Sequence, residues 1–99
     1  MELLPESEKS KLAKLYENED KSPSEVIAPI KFFCPWSNWT WYATEFDGED
    51  LFFGLVDGFE KELGYFSLSE LEGLTGPGGL KIERDLHWTP KDLATLMNS

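Results

Sequence analysis

Two Asp-Gly pairs do most to limit what this chain can fold into. Asp47-Gly48 and Asp57-Gly58 each separate two runs rich in apolar and β-favouring residues. Asp-Gly in that setting is a strong hairpin signal, because both residues tolerate the positive φ of a tight turn. Three strands are therefore expected in succession: Trp39 to Phe46, Leu51 to Val56 and Lys61 to Phe66. Short turns join antiparallel neighbours, so the three form a meander. Leu51 to Val56 is apolar on both faces, which predicts a central position. Trp39 to Phe46 alternates. Trp39, Trp41 and Ala43 fall on one face, and Thr40, Tyr42, Thr44 and Phe46 on the other.

The flanks extend this sheet and add helices. Ile30 to Cys34 is a short apolar run that stops at Pro35, so a sheet is expected over residues 30–67. Upstream, Pro5 suits a first helical position, and Glu6 and Glu8 suit the positive end of the helix dipole. With Leu12, Leu15 and Tyr16 as an apolar stripe, a helix is predicted over 5–17, then a polar linker to Pro23. Ser67-x-x-Glu70 is a capping box that opens a helix over 68–73. An edge strand is expected over 80–85. Thr89-Pro90-Lys91-Asp92 introduces a helix over 90–97, with Leu93, Leu96 and Met97 on its apolar side. The predicted class is α+β: a single domain with an antiparallel meander of four or five strands and three helices. A chain of 99 residues fits one domain.

Charge excludes several functions. Nineteen acids against nine bases give a net charge of -10. Nucleic-acid binding is driven by Lys and Arg on phosphates, so direct binding is not expected, and anionic membranes are disfavoured too. The charge is also local. Nine acids lie from Glu45 to Glu72 with Lys61 as the only base, a net -8. Cys34 is the only cysteine, so no internal disulfide can form. There is neither a signal-peptide stretch nor a membrane span, and a cytoplasmic location is expected.

Catalytic and metal chemistry find few residues to use. His87 is the only histidine, and no motif ties it to Cys34 or to a serine. One His and one Cys exclude the usual zinc sets, and the EF-hand pattern is absent. The glycines from Gly73 to Gly79 lack the Gly-Lys-Ser/Thr ending of a phosphate loop. No catalytic residue, metal or cofactor is therefore assigned.

Two constellations remain. Trp36, Trp39, Trp41 and Tyr42 fall within seven residues. They either fill a small core or offer stacking surfaces to a small molecule, a carbohydrate or a partner. The second constellation is an acidic interaction face of Glu45, Asp47, Glu49, Asp50, Asp57, Glu60 and Glu62. Glu45, Asp47 and Glu49 recur at every second position, about 6.6 Å apart on an extended strand. That is roughly twice the ~3.4 Å rise per phosphate of a DNA strand. Such a row would imitate DNA and occupy a basic nucleic-acid-binding protein; its alternative is a solvated sheet face.

The segments Ser37 to Asp50 (SNWTWYATEFDGED) and Phe52 to Leu71 (FFGLVDGFEKELGYFSLSEL) closely resemble a bacterial family of short single-domain proteins. This is the domain-of-unknown-function family numbered 2958. The opening Leu-Leu-Pro and the late Ile82 to Asp85 join the resemblance, which spans nearly the whole chain. It implies no activity and no catalytic residue. It does imply a bacterial setting that includes mobile elements, and with it accessory roles in DNA transfer or in evading host defence. The expected function is a non-enzymatic protein-interaction module. Binding of a small molecule or sugar by the aromatic cluster, and a small enzyme of undetected chemistry, are the alternatives.

Overall fold

The hairpins form where the Asp-Gly pairs place them. In the computed structural model, which describes residues 1–99, α1 (Glu6–Lys9) and β1 (Ala13–Lys14) precede β2 (Ile27–Ala28) and β3 (Ile30–Phe33). The meander follows as β4 (Thr40–Phe46), β5 (Leu51–Asp57) and β6 (Lys61–Ser67). The chain continues through α2 (Leu68–Gly73) and β7 (Glu83–Arg84) to β8 (Lys91–Asp92) and α3 (Leu93–Met97). The main sheet runs β6-β5-β4-β3-β7 with antiparallel neighbours, and β2 pairs with β8 apart from it. The class is α+β, with β5 central in the meander as its two apolar faces require.

One irregularity decides where the acids go. The β4–β5 register shifts between Ala43 and Glu45, a bulge at Thr44. Thr44 is buried, and its hydroxyl donates to the Phe53 carbonyl at 2.9 Å. A bulge inserts one residue and so reverses the alternation beyond it. Phe46 therefore joins Trp41 and Ala43, whereas strict alternation puts it on the opposite face. Glu45 swings the other way and is buried, at 4% exposure. Its carboxylate accepts the backbone N–H groups of Tyr16 (2.8 Å) and Asn18 (3.1 Å).

That contact also corrects the first helix. The stretch expected to be helical over 5–17 is helical only at Glu6–Lys9. Ala13–Lys14 instead lies parallel to Glu45–Phe46, on the edge of β4 that β3 leaves uncovered. Tyr16 takes a positive φ of 69° and is exposed. An isolated helix of this length is marginal in water, and a buried carboxylate that claims the N–H groups of Tyr16, within it, and of Asn18, just beyond it, favours the open turn. The other end elements are shorter than expected. The strand of 80–85 is limited to Glu83–Arg84, and the helix of 90–97 starts at Leu93 after Asp92, whose side chain accepts from Thr95 N–H at 3.0 Å.

The sheet carries a core on each face. On the first, Phe32, Phe46, Phe52 and Phe66 pack ring on ring, with centroids 4.7 to 5.5 Å apart, under Leu3, Leu4, Leu71 and Ile82. On the second, Leu55 packs with Val26, Ala28, Leu93 and Leu96, flanked by Tyr42 and Trp88. No helix is long and apolar enough to cross a membrane.

The β4–β5 turn binds its own acid. Oδ1 of Asp47 accepts the backbone N–H groups of Glu49, Asp50 and Leu51 at 2.8 to 3.0 Å. These donors hold its carboxyl below the ordinary aspartate range. Asp92 is lowered by the hydroxyl and backbone N–H of Thr95, and Glu25 by the backbone N–H and hydroxyl of Ser22. Carboxylates lowered in the folded state stabilise it above their ordinary values, and that stability is lost as the pH falls below them. Thermal melts at stepped pH should therefore decline from about pH 4.5 downward. Asp47→Asn should melt lower than the parent at neutral pH and show a shallower acid decline. Parallel curves for the two proteins would mean that the Asp47 turn contributes nothing.

Candidate functional site

The seven acids expected to form one face are distributed over several places. Glu45 is buried and bonded, so it leaves the set. Asp47 is exposed, but its Oδ1 caps the turn. Asp50 caps α2: its carboxylate accepts the Ser69 N–H at 2.8 Å and the Ser69 hydroxyl at 2.7 Å. Asp57 is half-buried at the end of β5, opposite Lys61 in the register. Glu49, Glu60 and Glu62 are exposed. Glu49 sits in the β4–β5 turn and Glu60 in the β5–β6 turn, at opposite ends of a seven-residue strand, which spans about 20 Å. The even row Glu45, Asp47, Glu49 does not exist, because the bulge buries its first member and the turn folds back its second.

The region is nevertheless uncompensated. Ion pairs join Lys9 to Glu6, Lys11 to Glu8, Lys31 to Asp85 and Arg84 to Glu8. None involves an acid from Glu45 to Glu72. Lys61, the only base there, donates instead to the Leu96 carbonyl at 3.0 Å and to Ser99. Glu49, Glu60, Glu62, Glu70 and Glu72 are thus exposed and free of any cation.

The aromatic candidates also divide. Tyr42 lies on the second face, 5.4 Å from Trp88, with the Lys31 amine 6.0 Å from its ring. Burial, and then the charges of Asp57 and Asp85, push its phenol above the ordinary tyrosine value. Trp36, Trp39 and Trp41 stay together on the first face and line a groove of about 510 Å³ with Cys34, Ser37, Glu70, Leu71 and Leu74. Trp41 is buried at its floor, and Trp36 and Trp39 are half-buried walls. The rings of Trp39 and Trp41 are 6.0 Å apart, and Phe59, 94% exposed, stands edge-on to Trp39 at 5.5 Å. The C-terminal helix packs on the opposite face, and no residue of either terminal helix lines this groove.

Each wall is seated on a glycine. A Cβ on Gly76 would lie 2.3 Å from the Trp36 ring, and one on Gly58 would lie 2.5 Å from the Trp39 ring. The α2 side of the groove, Glu70 with Leu71 and Leu74, is missing from the sequence-based site, because those residues reach the tryptophans only through the tertiary fold. A second hollow, about 360 Å³, lies between Tyr16, Phe53, Leu63 and Tyr65, with the satisfied Glu45 carboxylate in its wall. No three His, Cys, Asp or Glu side chains converge as metal ligands would. Cys34 is a buried free thiol and His87 is exposed in the loop after β7.

No curated protein and no solved structure matches the chain. One family model does, that described as a protein of unknown function, DUF2958, over residues 3–97. Because the match takes in both hairpins, the bulge, α2 and every wall of the groove, the chain belongs to that family of proteins of unknown function.

Proposed function

We propose that the chain is a cytoplasmic, non-enzymatic interaction module that binds a basic protein partner. The observation that carries this reading is the set of free carboxylates. Five exposed glutamates of the sheet and α2 have no cation, and the one lysine among them is turned to the C-terminus. Uncompensated charge of one sign steers an oppositely charged partner and raises its association rate. An accessory factor that evades a host defence would act this way, by occupying the basic nucleic-acid-binding cleft of a host protein. The field requires no evenly spaced phosphate-like row, only that the charge stay exposed.

Affinity capture from bacterial lysate tests the reading. Raising the salt from about 0.1 M to about 1 M shortens the Debye length from about 10 Å to about 3 Å. The captured set at low salt should be enriched in basic proteins and released at high salt. A captured set that is not basic, or that survives high salt unchanged, would count against the module.

A further inference from the structure

Resting on the reading of a basic partner, we propose that the groove between Trp36, Trp39, Trp41 and Glu70 receives an arginine side chain of that partner. Its volume, about 510 Å³, is enough for a side chain to lie in the open groove. Three indoles line it, and indole faces are the strongest aromatic attractors of a cation. Glu70 is the only charged residue of the lining. Its carboxylate forms no ion pair. Glu62 adds negative charge to the same face, since it pairs with Val56, which in turn pairs with Trp41.

The chain's other aromatic surfaces show the contrast. Lys31 and Lys91 each stand 5.4 Å from the Trp88 ring, and Lys9 stands 6.0 Å from Phe46. Those rings have cations of their own. None of these cation–ring contacts involves Trp36, Trp39 or Trp41, so the groove combines three indoles and a carboxylate with no cation of the chain's own. The walls are also preorganised, because the glycines at 58 and 76 let the two outer indoles rest directly on backbone. Preorganised walls reduce what ordering costs on binding. Arginine fits better than lysine. Its planar guanidinium stacks on an indole while its fork of N–H groups meets a carboxylate, whereas the ammonium of lysine is compact and strongly hydrated.

Titration of the full chain followed by the indole N–H resonances provides the test. The probe is N-acetyl-arginine amide, compared with the lysine and citrulline amides, tetramethylammonium and glucose. The arginine probe should shift the Trp36, Trp39 and Trp41 signals saturably. The Trp88 signal, whose N–H donates to the Ala28 carbonyl at 2.9 Å, should stay in place. Citrulline, its uncharged isostere, should bind at least about tenfold more weakly, as should the arginine probe to Glu70→Gln. Glu70→Gln should fold normally, because only the Ser67 half of the expected capping box forms and the Glu70 carboxylate makes no bond within the chain. Absence of shifts at the three indoles would overturn the proposal. So would binding of lysine, citrulline, glucose or tetramethylammonium equal to that of arginine. If the probe fails while salt-sensitive capture of basic proteins persists, the groove assignment falls and the interaction module stands. If capture fails while the probe binds, the partner reading falls instead.

Discussion

Gly54→Ala should abolish or severely weaken the folded state. Gly54 sits in the middle of β5, opposite Ala43 on β4 and Gly64 on β6. A Cβ there would lie 1.9 Å from the Tyr42 carbonyl oxygen and 2.9 Å from its carbon. Both atoms are backbone of the neighbouring strand, immediately before the bulge, so no rotamer change relieves the overlap. Strands β4 and β5 would have to part at the point where both cores meet the sheet. A penalty above about 4 kcal/mol is expected, at the extreme of single substitutions. A domain of this kind has about 5–15 kcal/mol of stability in all. Gly64→Ala is the control, because its Cβ would meet nothing within 4 Å. Circular dichroism melts should show a cooperative transition for Gly64→Ala and none, or a strongly lowered one, for Gly54→Ala. A parent-like melt for Gly54→Ala would mean that β4 and β5 are not apposed as described.

Glu45→Ala has the second largest expected effect, and it bears on how the acids divide their work. Removing the carboxylate leaves the N–H groups of Tyr16 and Asn18 without their acceptor in a part-buried site. Losing two hydrogen bonds to a charged acceptor there should cost about 2–4 kcal/mol. The loss should be local first: the Ala13–Lys14 pairing and the turn after it should exchange amide hydrogens faster than β5. Glu45→Gln should fall between parent and alanine, since its amide nitrogen would face a donor. Urea titration measures the cost, and hydrogen exchange at Tyr16 and Asn18 locates it. A stability change within about 0.5 kcal/mol would identify Glu45 as an ordinary surface acid.

Much of this fold is legible in the sequence, and the exceptions share one cause. The hairpins follow from Asp47-Gly48 and Asp57-Gly58, and the opening of α2 from Ser67, whose hydroxyl accepts the Glu70 N–H at 3.1 Å. These signals are local, set by residues a few positions apart. The Thr44 bulge has no local mark, because Thr44, Glu45 and Phe46 continue a plausible alternation. It becomes visible only when the β4–β5 register is read across strands. That single residue moves Phe46 into the aromatic core and takes Glu45 out of the acidic face. The apparent helix over 5–17 fails for a related reason: its competitor is a carboxylate about 30 residues away. The candidate site was half legible. Trp36, Trp39 and Trp41 are sequence neighbours and stay together. Glu70, Leu71 and Leu74 come from another element, and Tyr42 leaves the cluster through the strand's own two-residue period.

The acids divide into those that build the fold and those left free for a partner. Glu45, Asp47 and Asp50 belong to the first group, and Glu49, Glu60, Glu62, Glu70 and Glu72 to the second. The most direct test is capture by the triple variant Glu49→Gln/Glu60→Gln/Glu62→Gln at low salt, with its melting temperature recorded beside the parent's. An unchanged melt is expected, since none of these side chains is bonded within the chain, together with a loss of the basic proteins that the parent retains. Capture equal to the parent's by the triple variant would contradict this division.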